Sequence, residues 1–423
     1  MRTAAVSDCK DFYCRAMASG KSYAMINMNI KKFRYMNHVY GREEADKILQ
    51  DVEELIHAYL QPDDIITRKE ADDFILLVSY TSRQELERIW LYKLVDLIFD
   101  IDNKYVYHNI YTSFGIYFIE SAAVPFAEAF EKARFCRLMC DSLDRRVFSY
   151  EIYKQATYDK YIRNCYLEEY TAKAKDQGMY RVYIQPKIDL KTRKIIGGEA
   201  LLRLQDHENL LPASEFLPML NKNGFIRIID YYVFKTVVEQ LKERENRKKE
   251  NVRISFNISN SFFKDVYYID EYAKTVKENA IDPRYLEIEF MENIDIHKDI
   301  LKKNIRIFHE MGFSCSLDDF GNGFSNFEIL KECDLDIIKI DRCFFVDELS
   351  DLNKEILKTI IHLIKSIGMK VIAEGVERKE DVDFLASIGC DAVQGFYFYK
   401  PMPMEEFFSL LDNPSVPAAE YML

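Results

Sequence analysis

From about residue 250 the chain repeats one pattern: an apolar run, an amphipathic helical stretch, a Gly, then the next apolar run. Ile300, Leu301, Ile307, Phe308 and Met311 stand at helical spacing and stop at Gly312, before SCSLDDF. Leu352, Ile356, Leu357, Ile360, Ile364 and Ile367 do the same before Gly368 and KVIAEG, and Val382, Phe384, Leu385 and Ile388 before Gly389 and DAVQGF. Gly just past a helix end takes the left-handed cap at little cost. Short apolar strands between such helices predict a parallel sheet covered on both faces. Counted from residue 180, the strand candidates are RVYIQP, IIGGEALLR, RISFNIS, LEIEF, SCSLDDF, IIKID, KVIAEG and AVQGF, enough to close a barrel. Nearly every run ends in a polar residue: Gln185, Glu199 and Arg203, Asn257, Glu289, Asp318 and Asp319, Lys339, Glu374, Gln394. In a (β/α)₈ barrel the carboxyl ends of the strands share one face, so these scattered residues are expected to converge there.

The first 150 residues read differently. SYAMINMNI, ITRKEADDFILLVSY and NIYTSFGIYFIE predict strands of a smaller α+β sheet, with a hairpin near Glu70 and Ala71 and helices around 43–60, 82–100 and 124–141. Tyr158, Tyr161, Ile162, Cys165 and Ala172 then fall at helical spacing before Gly178, which predicts a connecting helix. The expected division is 1–151 for the first domain, 152–179 for the helix, 180–415 for the barrel and 416–423 for a tail.

Composition narrows the function classes. Hydrophobic residues at 48% supply several cores, and 14 Gly with 10 Pro are too few for a low-complexity chain. No window approaches the length of uncharged apolar sequence that a membrane span needs. No apolar run precedes the first acidic residue, Asp8, so a secretory signal is not expected and a cytoplasmic location is. The 9 Cys form no CxxC pair; reduced, buried thiols are expected, including Cys136 and Cys140 on one helix face. A net charge of −12 opposes general DNA binding, though an anionic ligand can bind where metals or placed cations reverse the local field.

Glu199, Glu289, Asp318, Asp319 and Glu374 at one barrel mouth would repel each other strongly without cations. Oxygen ligands with an Asn carbonyl and no nearby His or Cys favour Mg²⁺ or Mn²⁺ over zinc. Adjacent Asp318 and Asp319 point to opposite sides of a regular strand, so both serve one site only where the strand bends. Asp318 can then bridge two ions, and two metals about 4 Å apart form the clamp used for in-line phosphoryl chemistry. Taken singly, each acid reads as a solvated strand end, Arg203 as the partner of a carboxylate and Lys339 as the partner of Asp341. Burying so many acids together without a ligand is costly.

The block Glu199-Ala200-Leu201-Leu202-Arg203 resembles the signature of the EAL domain. Its other blocks follow in order: Gln185-Pro186, Asn257-Ile258-Ser259, Glu289-Phe290-Met291-Glu292, Asp318-Asp319-Phe320-Gly321, Lys339-Ile340-Asp341, Glu374-Gly375-Val376-Glu377 and Gln394-Gly395. The resemblance covers about residues 180 to 412. It implies a modified TIM barrel whose first strand runs antiparallel, and a phosphodiesterase that opens cyclic di-GMP to pGpG. It implies Glu199, Asn257, Glu289 and Asp318 as ligands of one ion, and Asp318, Asp319 and Glu374 of a second. It implies Lys339, Glu374, Glu292 and Gln394 in catalysis, with Lys339 by the attacking water, Gln394 orienting water or ligands, and Glu292 holding the loop after Asp319. Gln185, Leu202, Arg203 and Pro401 are implied on the substrate side. A homodimer through the barrel is implied as well. Met291, Asn322, Phe324 and Leu204 depart from the usual residues without removing a ligand. The competing expectation is a silent cyclic di-GMP receptor or protein scaffold.

Residues from about 20 to 150 resemble a GGDEF domain, the fold that makes cyclic di-GMP from GTP. Phe33-Arg34-Tyr35-Met36-Asn37 with Tyr40-Gly41 matches its nucleotide helix, and Glu70-Ala71-Asp72-Asp73-Phe74 stands at the signature turn. Two glycines there would let a triphosphate approach the backbone, whereas Ala71 adds a Cβ and Glu70 a carboxylate. Asn29 replaces an expected metal-binding Asp. Asn37 and Asp46 fall where the family contacts guanine, which leaves GTP binding open although synthesis is not expected. Gln61 stands where the feedback-inhibition motif has Arg, with Asp64 kept.

Overall fold

The computed structural model describes residues 6–87, 111–143, 148–259, 267–292, 298–322, 327–345 and 349–413. The chain divides into two compact units, Met1–Arg163 and Asn164–Leu423. A helix, Gln155–Ala174, runs across that division.

The first unit is built on a five-stranded sheet: β1 (Ser22–Lys31), β2 (Ile65–Glu70), β3 (Asp73–Tyr80), β4 (Tyr111–Phe118) and β5 (Phe148–Ile152), in the order β2-β3-β1-β4-β5. Only β4 and β5 pair in parallel. Alternation along β1 sends Ala24, Ile26, Met28 and Ile30 to one face, where they meet Ile48, Leu49, Val52 and Ile56 of the helix Arg42–Tyr59. Tyr23 and Met25 face the other way, onto Cys9 and Tyr13 of the helix Val6–Ala18 and Phe130 and Ala133 of Phe126–Leu143. Both faces are therefore apolar, and the buried exceptions carry the polar chemistry described below. The hairpin between β2 and β3 turns at Ala71 and Asp72, as the sequence predicts. The helix expected over 82–100 begins at Arg83, and 88–110 lie outside the described residues.

In the second unit, β6 (Tyr180–Asp189), β7 (Ile195–Asp206), β9 (Arg253–Asn257), β10 (Leu286–Met291), β11 (Ser314–Phe320), β12 (Ile337–Ile340), β13 (Lys370–Glu374) and β14 (Ala392–Gln394) close into a barrel. β8 (Asn209–Pro212) and β15 (Met402–Pro403) are short additions on β7 and β6. β6 runs antiparallel to both neighbours, β7 and β14, and the remaining barrel pairs are parallel. Helices end on left-handed glycines at Gly312, Gly368 and Gly389, the three positions read from the sequence. Outward-facing strand residues such as Phe256, Ile288, Leu317 and Val371 pack against helix residues such as Phe234, Phe308 and Ile361.

Two expectations need correction. In the helix Asp351–Ser366, Leu357 and Ile364 are buried, but Leu352, Ile356 and Ile367 are exposed, because a 3.6-residue period carries them around to solvent. The cysteines are all free, yet Cys14, Cys165 and Cys343 are exposed, so apolar burial accounts for only part of the set. Among the described residues, no helix is long and apolar enough to cross a membrane.

Candidate active site

The parallel strands carry Glu199, Asn257, Glu289, Asp318, Lys339, Glu374 and Gln394 to one mouth of the barrel. Single carboxylate oxygens of Glu199, Glu289 and Asp318 lie within 4.8 Å of one another, as do those of Asp318, Asp319 and Glu374. Asp318 belongs to both groups. The backbone explains how neighbours share one site: the register with β12 shifts between Leu317 and Phe320, and Asp319 sits at φ 59. That bulge with a left-handed residue supplies the bend a regular strand lacks, so the bend lies inside β11 rather than at its end.

Lys339 occupies the centre, fully buried. Its Nζ is 2.6 Å from Glu374 Oε1, 2.7 Å from Glu289 Oε2, 3.0 Å from Asp318 Oδ1 and 3.2 Å from Glu199 Oε2. Asp341 is not the partner; its Oδ1 accepts the backbone N–H of Cys343 at 2.8 Å. Asn257 Nδ2 donates to Glu199 Oε1 at 3.0 Å and to Glu289 Oε2 at 3.3 Å. Gln394 Nε2 donates to Glu199 Oε2 at 2.6 Å and Gln185 Oε1 at 3.2 Å, and Gln185 Nε2 donates to the Tyr399 carbonyl. Gln185 arrives from mid-strand, opposite Glu199, because β6 is reversed.

The electrostatics divide the acids. Burial, with Glu289 nearby, pushes Glu199 up to about 7. Burial, Asp318 and Asp341 push Asp319 up to about 7, and Asp318 and Glu374 are raised by burial and neighbouring acids. At Glu289, burial is outweighed by the ammonium groups of Lys339 and Lys187, which hold it at about 2. For Lys339, burial favours the neutral amine, but the surrounding carboxylates win and raise it well above its ordinary value.

Glu292 is buried beside this mouth. Its Oε2 accepts the Gly321 backbone N–H at 3.0 Å, and its own N–H bonds the Asp318 carbonyl. Ser325, a further residue of the loop that Glu292 is expected to hold, lies outside the described residues. Arg203 is half-buried, with Nη1 on the Leu202 carbonyl at 2.8 Å and its guanidinium 5.8 Å from the Tyr183 ring. The Leu202 side chain sits in the core between barrel and helices, so what it offers the mouth is its carbonyl. Pro401 is half-buried just before β15.

Sequence reasoning passes over the level beneath. Lys187, Ser255 and Glu287 stand two residues below Gln185, Asn257 and Glu289 on the same strand faces, and all are buried. Period-two extension of each polar strand end is the signal that finds them. Asp230 is half-buried, accepts the Ser259 N–H at 2.9 Å and is raised by desolvation to about 7.

In the first unit, the altered signature forms its own network. Asn29 Nδ2 donates to Asp72 Oδ2 at 2.9 Å and to its carbonyl at 3.1 Å. Asp73 Oδ1 accepts Asn27 Nδ2 at 2.6 Å, while Asn27 Oδ1 accepts Arg137 Nε at 2.7 Å. Ala71 adopts φ 39, a left-handed turn in a residue with a Cβ, which costs about 1–2 kcal/mol. The Glu70 backbone pairs with Asp73, Asn37 is half-buried on the helix Phe33–Tyr40, and Asp46 is exposed.

Comparison with known proteins agrees with both architectures. The EAL domain model matches residues 169–401, and the model for the diguanylate cyclase GGDEF domain matches 8–135. The chain is 26% identical over 404 residues to NbdA, a cyclic di-GMP phosphodiesterase of Pseudomonas aeruginosa, covering 92% of this chain and 50% of that protein. It spans about half the length of the curated relatives it matches. Among solved structures, the Pseudomonas aeruginosa MucR phosphodiesterase in complex with cyclic di-GMP is 28% identical, with TM-score 0.54, covering 57% of this chain and 99% of that one. An EAL domain protein from Listeria monocytogenes is 33% identical, with TM-score 0.52, covering 58% and 96%. With a family model spanning more than half its length and a barrel of the same build, the chain belongs to the EAL domain family and carries a GGDEF domain ahead of the barrel.

Proposed function

We propose that the barrel hydrolyses cyclic di-GMP to pGpG with the help of two divalent cations, Mg²⁺ or Mn²⁺. The observation that carries this reading is the pair of carboxylate groups sharing Asp318. The residues fit such ions. Among the described residues, Glu199, Glu287, Glu289, Asp318, Asp319 and Glu374 gather around two ammonium groups, Lys187 and Lys339, a deficit of positive charge. Gln394 Oε1 is buried without a hydrogen bond, Glu374 Oε1 has the Lys339 ammonium as its partner, and a half-turn of the Asn257 amide would present its carbonyl to the same centre.

Glu199, Asn257, Glu289 and Asp318 would hold one ion, and Asp318, Asp319 and Glu374 the other. Bound there, the ions supply Lewis-acid stabilisation of the phosphoryl oxygens and ease the deprotonation of water. Lys339 donates hydrogen bonds toward the attacking water and offsets developing negative charge. Glu374, paired with Lys339 through Oε1, takes the proton that the water loses as its oxygen bonds phosphorus, while the P–O3′ bond breaks and the departing 3′ oxygen takes a proton from solvent. Gln394 and Gln185 hold each other and orient Glu199. Arg203, the Leu202 carbonyl and Pro401 lie toward the substrate, and Glu292 steadies the chain after Asp319.

The amino-terminal domain makes no cyclic di-GMP in this reading and instead regulates or dimerises the barrel, and the barrel itself pairs as a homodimer. Asp72 and Asp73 are engaged by amides, and the Ala71 turn carries a Cβ where a triphosphate needs room. Asn37 and Asp46 remain as candidate guanine contacts for GTP bound without reaction. A second reading, a silent receptor or protein-interaction scaffold, draws support from Lys339, which already neutralises part of the acid cluster. One assay separates them. Purified protein incubated with cyclic di-GMP and Mg²⁺ or Mn²⁺ should accumulate pGpG by chromatography, and EDTA should stop it. A folded protein that gives no product with either metal leaves the receptor reading standing.

A further inference from the structure

Beneath the mouth, Lys187 Nζ makes three contacts: Ser255 Oγ at 2.7 Å, Glu287 Oε1 at 3.0 Å and Glu289 Oε1 at 3.0 Å. Its side chain is 4% exposed, and those of Glu287 and Glu289 are 2% and 0% exposed, so water does not substitute for these contacts. The two oxygens of Glu289 therefore face different tasks. Oε1 points down to Lys187, whereas Oε2 points to Asn257 and Lys339 at the level of the acid cluster.

We infer that Lys187 is a positioning residue for the metal centre: it holds Glu289 Oε1 from below, so that only Oε2 is offered to a cation. The inference rests on the metal-dependent reading above and deepens it. Several features support it. Lys187 cannot reach substrate at the mouth, since it lines a cavity of about 440 Å³ at the opposite end of the barrel, together with Glu287, Ile337, Ile372 and Ala392. In the β6–β7 register it stands opposite Gly197, where a Cβ would run into the Arg253 carbonyl of β9, so this level stays free of a side chain from β7. Glu287 supplies a second negative charge, so Lys187 stays bound below even when Glu289 gives charge to a metal. A carboxylate whose second oxygen is fixed in this way loses little freedom on binding an ion, and such supporting contacts typically change metal affinity or activity 10 to 100-fold when removed.

The test is Mn²⁺ binding, read by calorimetry and by the electron paramagnetic resonance of free Mn²⁺, on the full chain. Lys187→Gln keeps a weaker donor to Glu289. The pair Lys187→Met with Glu287→Met removes one buried charge of each sign, so that Glu287 is not left unpaired while Glu289 Oε1 loses its ammonium donor. Both proteins should bind Mn²⁺ about 10 to 100-fold more weakly than wild type. Glu287→Gln, which leaves Lys187 on Glu289 but removes its second anionic partner, should weaken binding less than either Lys187 variant. Wild-type binding with unchanged affinity in folded Lys187 variants overturns the inference alone. Failure of the wild-type protein to take up Mn²⁺ removes the metal reading itself. Should the Lys187 variants not fold, a crystal structure of the wild-type protein with Mn²⁺ decides: Lys187 still on Oε1 with the metal on Oε2 supports the inference, and Glu289 bound through both oxygens, or Lys187 swung away, overturns it.

Discussion

The two units each gather acids near strand ends, and they neutralise them in different ways. In the first, Asn29 and Asn27 donate to Asp72 and Asp73, and Arg137 completes the chain through Asn27. Each of these two acids has an amide donor from within the domain, so the site has little call for an outside cation. At the barrel mouth, carboxylates outnumber ammonium groups, several acids are pushed toward neutrality, and Gln394 Oε1 is buried without a hydrogen bond. An acidic cluster thus invites a metal when its own donors fall short, and the tally of donors says more than the number of acids.

The hardest blow to this contrast comes from removing a barrel ligand. Glu199→Ala and Asp318→Ala should each lower cyclic di-GMP turnover on the order of 10³-fold or more, a loss of several kcal/mol of transition-state stabilisation. Near-wild-type rates in either variant would mean that the shared Asp318 geometry is not the reacting centre. Glu292→Gln should act less severely, because it weakens the bond to Gly321 N–H rather than deleting a ligand. We expect a 10 to 100-fold loss in metal affinity or activity with the fold intact, measured as Mn²⁺ titrations of rate. Superimposable titrations would show that the chain after Asp319 needs no anchor.

A pH series sharpens the charge argument. Glu199 rises from an ordinary 4.5, and Asp319 from 3.8, to about 7 in the folded metal-free chain. Between those values the folded state binds more protons than the unfolded one, so metal-free stability should fall as pH climbs from about 4 to 7. Added Mn²⁺ competes for the same oxygens and should flatten that slope in thermal melts. A metal-free melting profile that rises through this window would contradict the burial of these acids. The smallest effect is expected in the first unit. Asn29→Asp replaces the amide donor to Asp72 with a second acid and should cost about 1–3 kcal/mol of that domain's stability at neutral pH. With the barrel silenced by Glu199→Ala, it should still yield no cyclic di-GMP from GTP, since the Ala71 turn is unchanged. New product in that background would place the block at Asn29 alone.

Much of this was readable along the chain. The period of apolar runs and the glycines after each helix mark the barrel strands, and their polar ends mark the mouth. The bulge at Asp318 and Asp319 follows from two adjacent acids needing one destination. What the linear pattern hides is the depth of the barrel. Lys187 and Glu287 lie within strands, where a charged residue looks like a solvated neighbour, and only closure of the sheet turns them inward against each other. Lys339 was similarly ambiguous: proximity in sequence favours Asp341, whereas closure surrounds it with acids from β7, β10, β11 and β13. The exposed apolar positions of Asp351–Ser366 mark the same limit, because helical spacing gives a stripe and not the direction it faces.

The reversal of β6 has a mechanical consequence. Tyr180 opens this strand level with Leu204, beyond Glu199 toward the mouth, and Gln185 follows five residues later beside Glu199. The polypeptide is therefore threaded into the barrel through the doorway that holds the acid cluster, not through the far rim where an all-parallel barrel would begin. Eleven positions separate the end of the helix Gln155–Ala174 from Gln185, which is tied to Gln394 and through it to Glu199. In this barrel the leash and the latch hang on the same strand.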